Sequence, residues 1–123
     1  MDHRRDVSFL QETSLQYLAR ADQAFDFIFL DGDHSATMVY QEIPLALKVL
    51  QPGGAILLHD FFPRSRPLWS DGKFVPGPFL ATRRLQSEGA SLQVLPLGCL
   101  PWETKKRSHI TSLALVSRKG PGW

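Results

Sequence analysis

The sequence has little of what would assign it to a secreted, membrane or nucleic-acid-binding class. Its single cysteine, Cys99, excludes an internal disulfide framework and fits a reducing compartment. No apolar run approaches the about 20 residues of a membrane span, and no signal-peptide core follows the charged N-terminus. Lys and Arg total 14 against 12 Asp and Glu, an excess too small to indicate nucleic acid. We therefore predict a cytoplasmic protein without nucleic-acid or membrane partners.

What remains has the composition of one folded domain, which we assign to residues 1–123. Of these 123 residues, 43% are hydrophobic, enough for a single core. Residues 61–78 form a long connection rich in proline and aromatic residues, which is typical of a lid or binding loop. Hydrophobic periodicity and turn residues predict strands at 7–10, 26–30, 55–58, 92–97 and 110–117, and helices at about 13–20, 35–50 and 79–88.

The chain is organised around residues 25–60. The apolar run 26–30 shows no alternation, which predicts a strand buried on both faces. Ser35 is a plausible N-cap for the helix that follows, and the turn residues 51–54 end that helix before the second apolar run, 55–58. A strand–helix–strand unit of this length makes the two strands parallel, with a right-handed crossover.

Each of these strands ends in an aspartate, Asp31 and Asp60. Both side chains are therefore expected at the carboxyl edge of the sheet, where open α/β sheets bind ligands. Two carboxylates so close repel each other unless one is protonated or a cation lies between them, and oxygen ligands favour Mg²⁺ or Mn²⁺ over zinc. His34 and His59 flank the same edge, and either could act as a base near neutral pH.

Each candidate also has a structural interpretation. Asp31, Gly32 and Asp33 could form only a tight turn, with Asp33 capping the next helix. His34 could pack against the start of that helix, and a structural or supporting role suits His59 better than that of the base. The basic run 105–107 is typical of a solvated hairpin tip.

The run from Phe25 to Ser35, a helix, and the run from Val49 to Asp60 together resemble the latter half of class I S-adenosylmethionine-dependent methyltransferases. The small-molecule O-methyltransferases are the branch most similar to it. The resemblance spans about residues 7–118. It implies an α/β, Rossmann-like fold whose mixed sheet has a parallel βαβ core and a C-terminal antiparallel hairpin. It also implies S-adenosylmethionine as cofactor and O-methyl transfer to a small-molecule hydroxyl, with Mg²⁺ as a possible aid.

The resemblance also suggests roles for individual residues. Thr13 and Ser14 follow the third family strand, where the family contacts the adenine end of the cofactor. Asp31 matches a carboxylate that lies near the transferred methyl and binds the metal in metal-dependent members, so it is expected in catalysis and in cofactor and metal binding. Asp60 matches a second metal ligand, and His34 a position that some sugar methyltransferases use as the catalytic base. Where those members usually carry a further Asp or Asn, this sequence has Phe61.

The Gly-rich turn with which the family approaches its cofactor does not precede Val7. The chain is thus expected to correspond to the C-terminal part of the family domain and to be inactive alone. In the family's sheet order the strand 26–30 would then be a bare, apolar edge, which invites pairing. We predict a homodimer, or pairing with a separate N-terminal half, through this edge. The alternatives are a non-catalytic, dimerising remnant and, ranked last, another Rossmann-like enzyme that binds phosphate-bound Mg²⁺.

Overall fold

The computed structural model describes residues 7–32, 35–62, 76–99 and 112–119. These segments contain three helices and four strands. They are, in chain order, α1 (Ser14–Arg20), β1 (Phe25–Leu30), α2 (Ala36–Lys48), β2 (Leu50–His59), α3 (Gly77–Ser87), β3 (Leu92–Cys99) and β4 (Ser112–Arg118). Among these helices none is both long enough and apolar enough to cross a membrane.

The four strands form one mixed sheet in the order β1-β2-β4-β3. β1 and β2 are parallel and connected by α2, whereas β4 runs antiparallel to both β2 and β3. This arrangement confirms the predicted fold class, a parallel βαβ core with a C-terminal antiparallel hairpin. It also makes β1 an end strand of the described sheet, as the family's strand order implied.

Helix boundaries follow from capping residues that the sequence identifies. The Thr13 hydroxyl accepts a hydrogen bond from the backbone N–H of Gln16, and the Gln16 side chain accepts one from the Thr13 N–H. These reciprocal bonds form a capping box at the start of α1. Ser35 caps α2 with its hydroxyl, which accepts a hydrogen bond from the backbone N–H of Met38 at 3.2 Å.

One face of the sheet, which we call the covered face, carries the core. Strand residues Leu30, Leu58 and Ala114 stand in one cross-strand row and are at most 9% exposed. They belong to the same buried cluster as Val39 and Ile43 of α2. The apolar stripe of α2 therefore packs on this face, as its 3.6-residue period predicted.

The opposite face, which we call the open face, has a second apolar row. Phe29, Leu57, Leu115 and Leu95 pair in register across all four strands, so their side chains share one face. Phe29 remains 48% exposed and Leu95 57%. Burial of β1 on both faces was therefore a wrong prediction, because an apolar run does not reveal whether a second layer covers it.

The strand predicted at residues 7–10 is also wrong. The segment has no assigned secondary structure, and its side chains are exposed, including Phe9 at 94%. A strand is stable only when a neighbour pairs with its backbone. No described strand pairs with this segment, so β propensity alone did not suffice.

The predicted turn at 51–54 is a glycine-rich irregularity at the start of β2. Phe25 pairs with Leu50, but Phe27 already pairs with Ala55, so β2 bulges between these pairs. Gly53 takes a positive φ of 81°. A Cβ on Gly54 would lie 2.8 Å from the backbone oxygen of Asp26, so the close approach of the two strands requires glycine there.

Candidate active site

The carboxyl edge of the parallel pair brings Asp31 and Asp60 together. Leu30 pairs with Leu58, so the two strands end side by side. Asp31 follows β1 directly and Asp60 follows β2. One ligand atom from each, together with one from His59, lies within 4.8 Å of the others. The juxtaposition is thus as the sequence predicted, whereas the metal and catalytic roles of these residues stay predictions.

His59 lies at the centre of this cluster. Its Nδ1 is 3.0 Å from Oδ1 of Asp31 and 3.0 Å from Oδ2 of Asp60. The nitrogen is buried, yet neither contact has the alignment of a hydrogen bond. The imidazole also contacts the Phe29 ring at a centroid distance of 6.3 Å. The sequence suggested a supporting role for His59, which stays a prediction, and this position also makes His59 a candidate third ligand.

The backbone at Asp60 is unusual. Its φ is 57°, in the left-handed region that residues other than glycine rarely adopt. Such strain persists only where surrounding contacts enforce it, and it is common at functional sites. Here the next residue, Phe61, is held by hydrogen bonds to Ser112, one from its backbone N–H to the Ser112 oxygen at 3.1 Å and one that its oxygen accepts from the Ser112 hydroxyl.

Phe61 stands where metal-dependent family members usually carry Asp or Asn, and its packing explains this difference. Its side chain is 3% exposed and packs edge-on against Phe79, with ring centroids 5.7 Å apart. It therefore fills the core beside the site and does not face the carboxylates. The third candidate ligand atom at this edge belongs instead to the residue before Asp60, the imidazole of His59.

The donor set fits a divalent cation. Carboxylate oxygens suit Mg²⁺ and Mn²⁺, and an imidazole nitrogen also suits Mn²⁺, Fe²⁺ or Zn²⁺. A cation between Asp31 and Asp60 would relieve their mutual repulsion. It would also give the buried Nδ1 of His59, which makes no aligned hydrogen bond, a partner.

A small cavity of ≈ 10 Å³ lies directly beneath the cluster. Besides Asp31, His59 and Asp60, its wall includes Glu42 of α2, which is only 2% exposed. Glu42 was not among the site residues predicted from the sequence. The available signal was a charged residue at a position of α2 that the helical period assigns to the buried stripe.

Thr13 and Ser14, predicted to contact the cofactor, lie at the start of α1. The Thr13 hydroxyl is used in the capping box, whereas Ser14 is exposed. Both line a wide, open groove that also includes Arg20. The Glu12 carboxylate contacts Arg20 and raises the pKa of its guanidinium. Cofactor binding by Thr13 and Ser14 stays a prediction, and His34 lies outside the described residues.

The fold is that of the class I methyltransferases. A putative O-methyltransferase from Klebsiella pneumoniae superposes with a TM-score of 0.57 at 21% identity, covering 88% of this chain and 47% of that one. The O-methyltransferase TomG from Streptomyces achromogenes, involved in tomaymycin synthesis and solved with S-adenosylmethionine, gives 0.56 at 15% identity, with 88% and 48% covered. An O-methyltransferase from Bacillus cereus, in complex with S-adenosylhomocysteine, gives 0.51 at 18%, with 85% and 46% covered.

The sequence itself agrees with this fold. Residues 2–61 match a family model described as a methyltransferase domain, a segment that includes both Asp31 and Asp60. With the shared fold, this match supports the class I S-adenosylmethionine-dependent methyltransferase family, confirming the resemblance. The chain spans about half the length of the solved structures that it matches. No curated protein matches it significantly.

Proposed function

We propose that this chain carries the acceptor and cation part of an S-adenosylmethionine-dependent O-methyltransferase site that acts on a small-molecule hydroxyl. The observation that supports this most is the meeting of Asp31, His59 and Asp60 at the carboxyl edge of a methyltransferase fold. That edge is where α/β folds of this kind bind their ligands. Two of the similar solved structures contain S-adenosylmethionine and S-adenosylhomocysteine, which is consistent with it.

Asp31, His59 and Asp60 would hold one divalent cation, Mg²⁺ or Mn²⁺. When bound, such a cation lowers the pKa of an acceptor hydroxyl and neutralises charge at the site. The chain's own contribution is positional. Two carboxylates fixed at adjacent strand ends, one with a strained backbone, set the place of the acceptor oxygen before it reacts.

The proton of the acceptor hydroxyl would pass to Asp31 or His34. The Asp31 side chain is 48% exposed, so an acceptor can reach it from solvent. Bound S-adenosylmethionine would supply the methyl group: an O–C bond to the acceptor oxygen would form as the C–S bond breaks, leaving S-adenosylhomocysteine. The prediction that residues 61–79 cover the acceptor falls mostly on positions 63–75, which lie outside the described residues.

Calorimetry of the whole chain with S-adenosylmethionine tests this proposal. We expect saturable binding with a Kd of about 1 mM or tighter, about −4 kcal/mol. Asp31→Asn should weaken it, whereas Asp26→Asn, in the same strand but before its carboxyl end, should not. Absence of binding at millimolar cofactor would contradict the proposal that this chain contributes to a methyl-transfer site.

A second candidate function, a non-catalytic dimerising module, is favoured by one observation. Phe27 and Phe29 of the end strand β1 are 55% and 48% exposed. A bare edge beside exposed aromatic side chains favours strand addition by a second copy, or by a separate N-terminal half. Size-exclusion chromatography with light scattering should then give a dimer that Phe27→Lys dissociates. A monomer that binds the cofactor tightly would rule this candidate out.

A further inference from the structure

Glu42 is the one charged side chain among the buried residues that the structure describes. It is 2% exposed, and it lies on the face of α2 that also buries Val39, Ile43 and Ala46. Burying a carboxylate among apolar side chains is costly even when it has polar contacts. Residues that break the local pattern in this way tend to serve a site.

The position of Glu42 connects it to the carboxyl edge. It shares the wall of the ≈ 10 Å³ cavity with Asp31, His59 and Asp60. It is not a member of the group whose ligand atoms meet within 4.8 Å. Glu42 therefore lies behind the three candidate ligands, on the side of the covered face, and is not one of them.

The size and lining of this cavity suggest how Glu42 acts. A space of about 10–15 Å³ accommodates one water molecule when several polar groups surround it. Three carboxylates and one imidazole line this cavity, and none of the described residues in its wall is a lysine or arginine. A water-sized space lined by carboxylates behind a cation site favours an outer-sphere contact, in which a carboxylate orients a water that faces the ion.

We propose that Glu42 is a positioning residue of the cation site, acting through a water molecule held in this cavity and through its negative charge. The inference rests on the proposed function, since it requires that Asp31, His59 and Asp60 bind a divalent cation. Glu42 raises the affinity for that cation without touching it.

The test is titration of the full chain with Mn²⁺ alone, followed by electron paramagnetic resonance. Glu42→Gln keeps the shape of the side chain and removes its charge. Loss of an outer-sphere partner typically weakens metal binding about 10–100-fold, and we expect a loss in this range. Glu42→Asp keeps the charge but withdraws it from the cavity. The Mn²⁺ affinity of this variant should therefore lie between those of Glu42→Gln and the wild type. Equal Mn²⁺ affinities of Glu42→Gln and the wild type would overturn the proposal.

Ile43→Val is the matched control for a purely structural effect. Ile43 is the next residue of α2 and is 0% exposed, but it does not line the cavity. The substitution removes one methylene from the same core and should lower the thermal midpoint with unchanged Mn²⁺ affinity. If Ile43→Val weakens Mn²⁺ binding as much as Glu42→Gln does, packing explains the effect and the inference is wrong.

Binding of S-adenosylmethionine, measured in parallel, separates this inference from the proposed function. A chain that binds S-adenosylmethionine but no Mn²⁺ overturns the role of Glu42 and leaves methyl transfer standing. A chain that binds Mn²⁺ equally with and without the Glu42 carboxylate overturns the role of Glu42 alone. A chain that binds neither overturns both.

Discussion

The two faces of the sheet carry similar apolar residues but differ sharply in burial. On the covered face Leu58 is 1% exposed, and helices α2 and α3 contribute to the same core. On the open face Leu95 is 57% exposed and Phe29 48%. Apolar side chains in a strand thus mark a surface suited to burial without showing that it is buried. A second layer decides that, and only the covered face has one in the described part of the chain.

The difference also organises the candidate site. Glu42 reaches the carboxyl edge from the covered face, whereas His59 lies in the alternation of the open face and contacts Phe29. The site is therefore rigidly supported from one side. On the open face the candidate site is bordered by Phe29, which is 48% exposed.

The largest expected effect comes from truncating one leucine on each face. Leu58→Ala should cost about 2–5 kcal/mol of unfolding free energy, because it leaves a cavity in the core. Leu95→Ala should change it by about 0.5 kcal/mol or less, as exposed positions usually do. Urea unfolding monitored by circular dichroism measures both. A cost above about 2 kcal/mol for Leu95→Ala would mean that the open face is covered in solution.

The same comparison explains how far the sequence alone could predict the fold. Periodicity located α2 and its buried stripe, and hydroxyl residues at helix starts identified the caps Thr13 and Ser35. The two aspartates after adjacent parallel strands predicted the carboxyl-edge cluster. These features depend on local chemistry and on the general geometry of βαβ units, which a sequence specifies directly.

What sequence analysis missed depends on long-range contacts. The segment 7–10 has strand propensity but no partner, and exposure on β1 depends on a layer that no local pattern encodes. The central position of His59 and the burial of Glu42 follow from the packing of α2 against the strand ends. The only local indication of the burial of Glu42 was that a glutamate occupies a position of the apolar stripe of α2.

An intermediate effect is expected at Ser112, which lies on the covered face at 2% exposure. Its hydroxyl donates a hydrogen bond to the backbone oxygen of Phe61, next to Asp60. Ser112→Ala removes that donor from a buried acceptor and should cost about 1–3 kcal/mol. Ser117→Ala, on the open-face alternation of the same strand, should cost less than about 0.5 kcal/mol. Urea unfolding measures both losses of unfolding free energy. Equal losses for Ser112→Ala and Ser117→Ala would show that serines on the two faces contribute equally to stability.

The smallest expected effect concerns the seam between α2 and α3, the helices on the covered face. The Tyr40 hydroxyl donates a 2.6 Å hydrogen bond to Oε1 of Glu88, and this bond raises the pKa of Tyr40 above its ordinary value of 10.0. Because only the neutral hydroxyl donates, its stabilisation is complete below about pH 10 and is lost as the pH rises through the higher folded-state pKa.

Tyr40→Phe should therefore destabilise the chain slightly at about pH 8, and its difference from the wild type should vanish at strongly alkaline pH. Urea unfolding of both proteins across this range measures the difference. Glu88→Gln is the matched control, since it keeps an acceptor but removes the charge, and it should bring the Tyr40 titration back toward pH 10. A difference between Tyr40→Phe and the wild type that stays constant with pH would mean that ring packing, with the Arg84 guanidinium 4.3 Å from the ring centroid, holds this seam and the hydrogen bond does not.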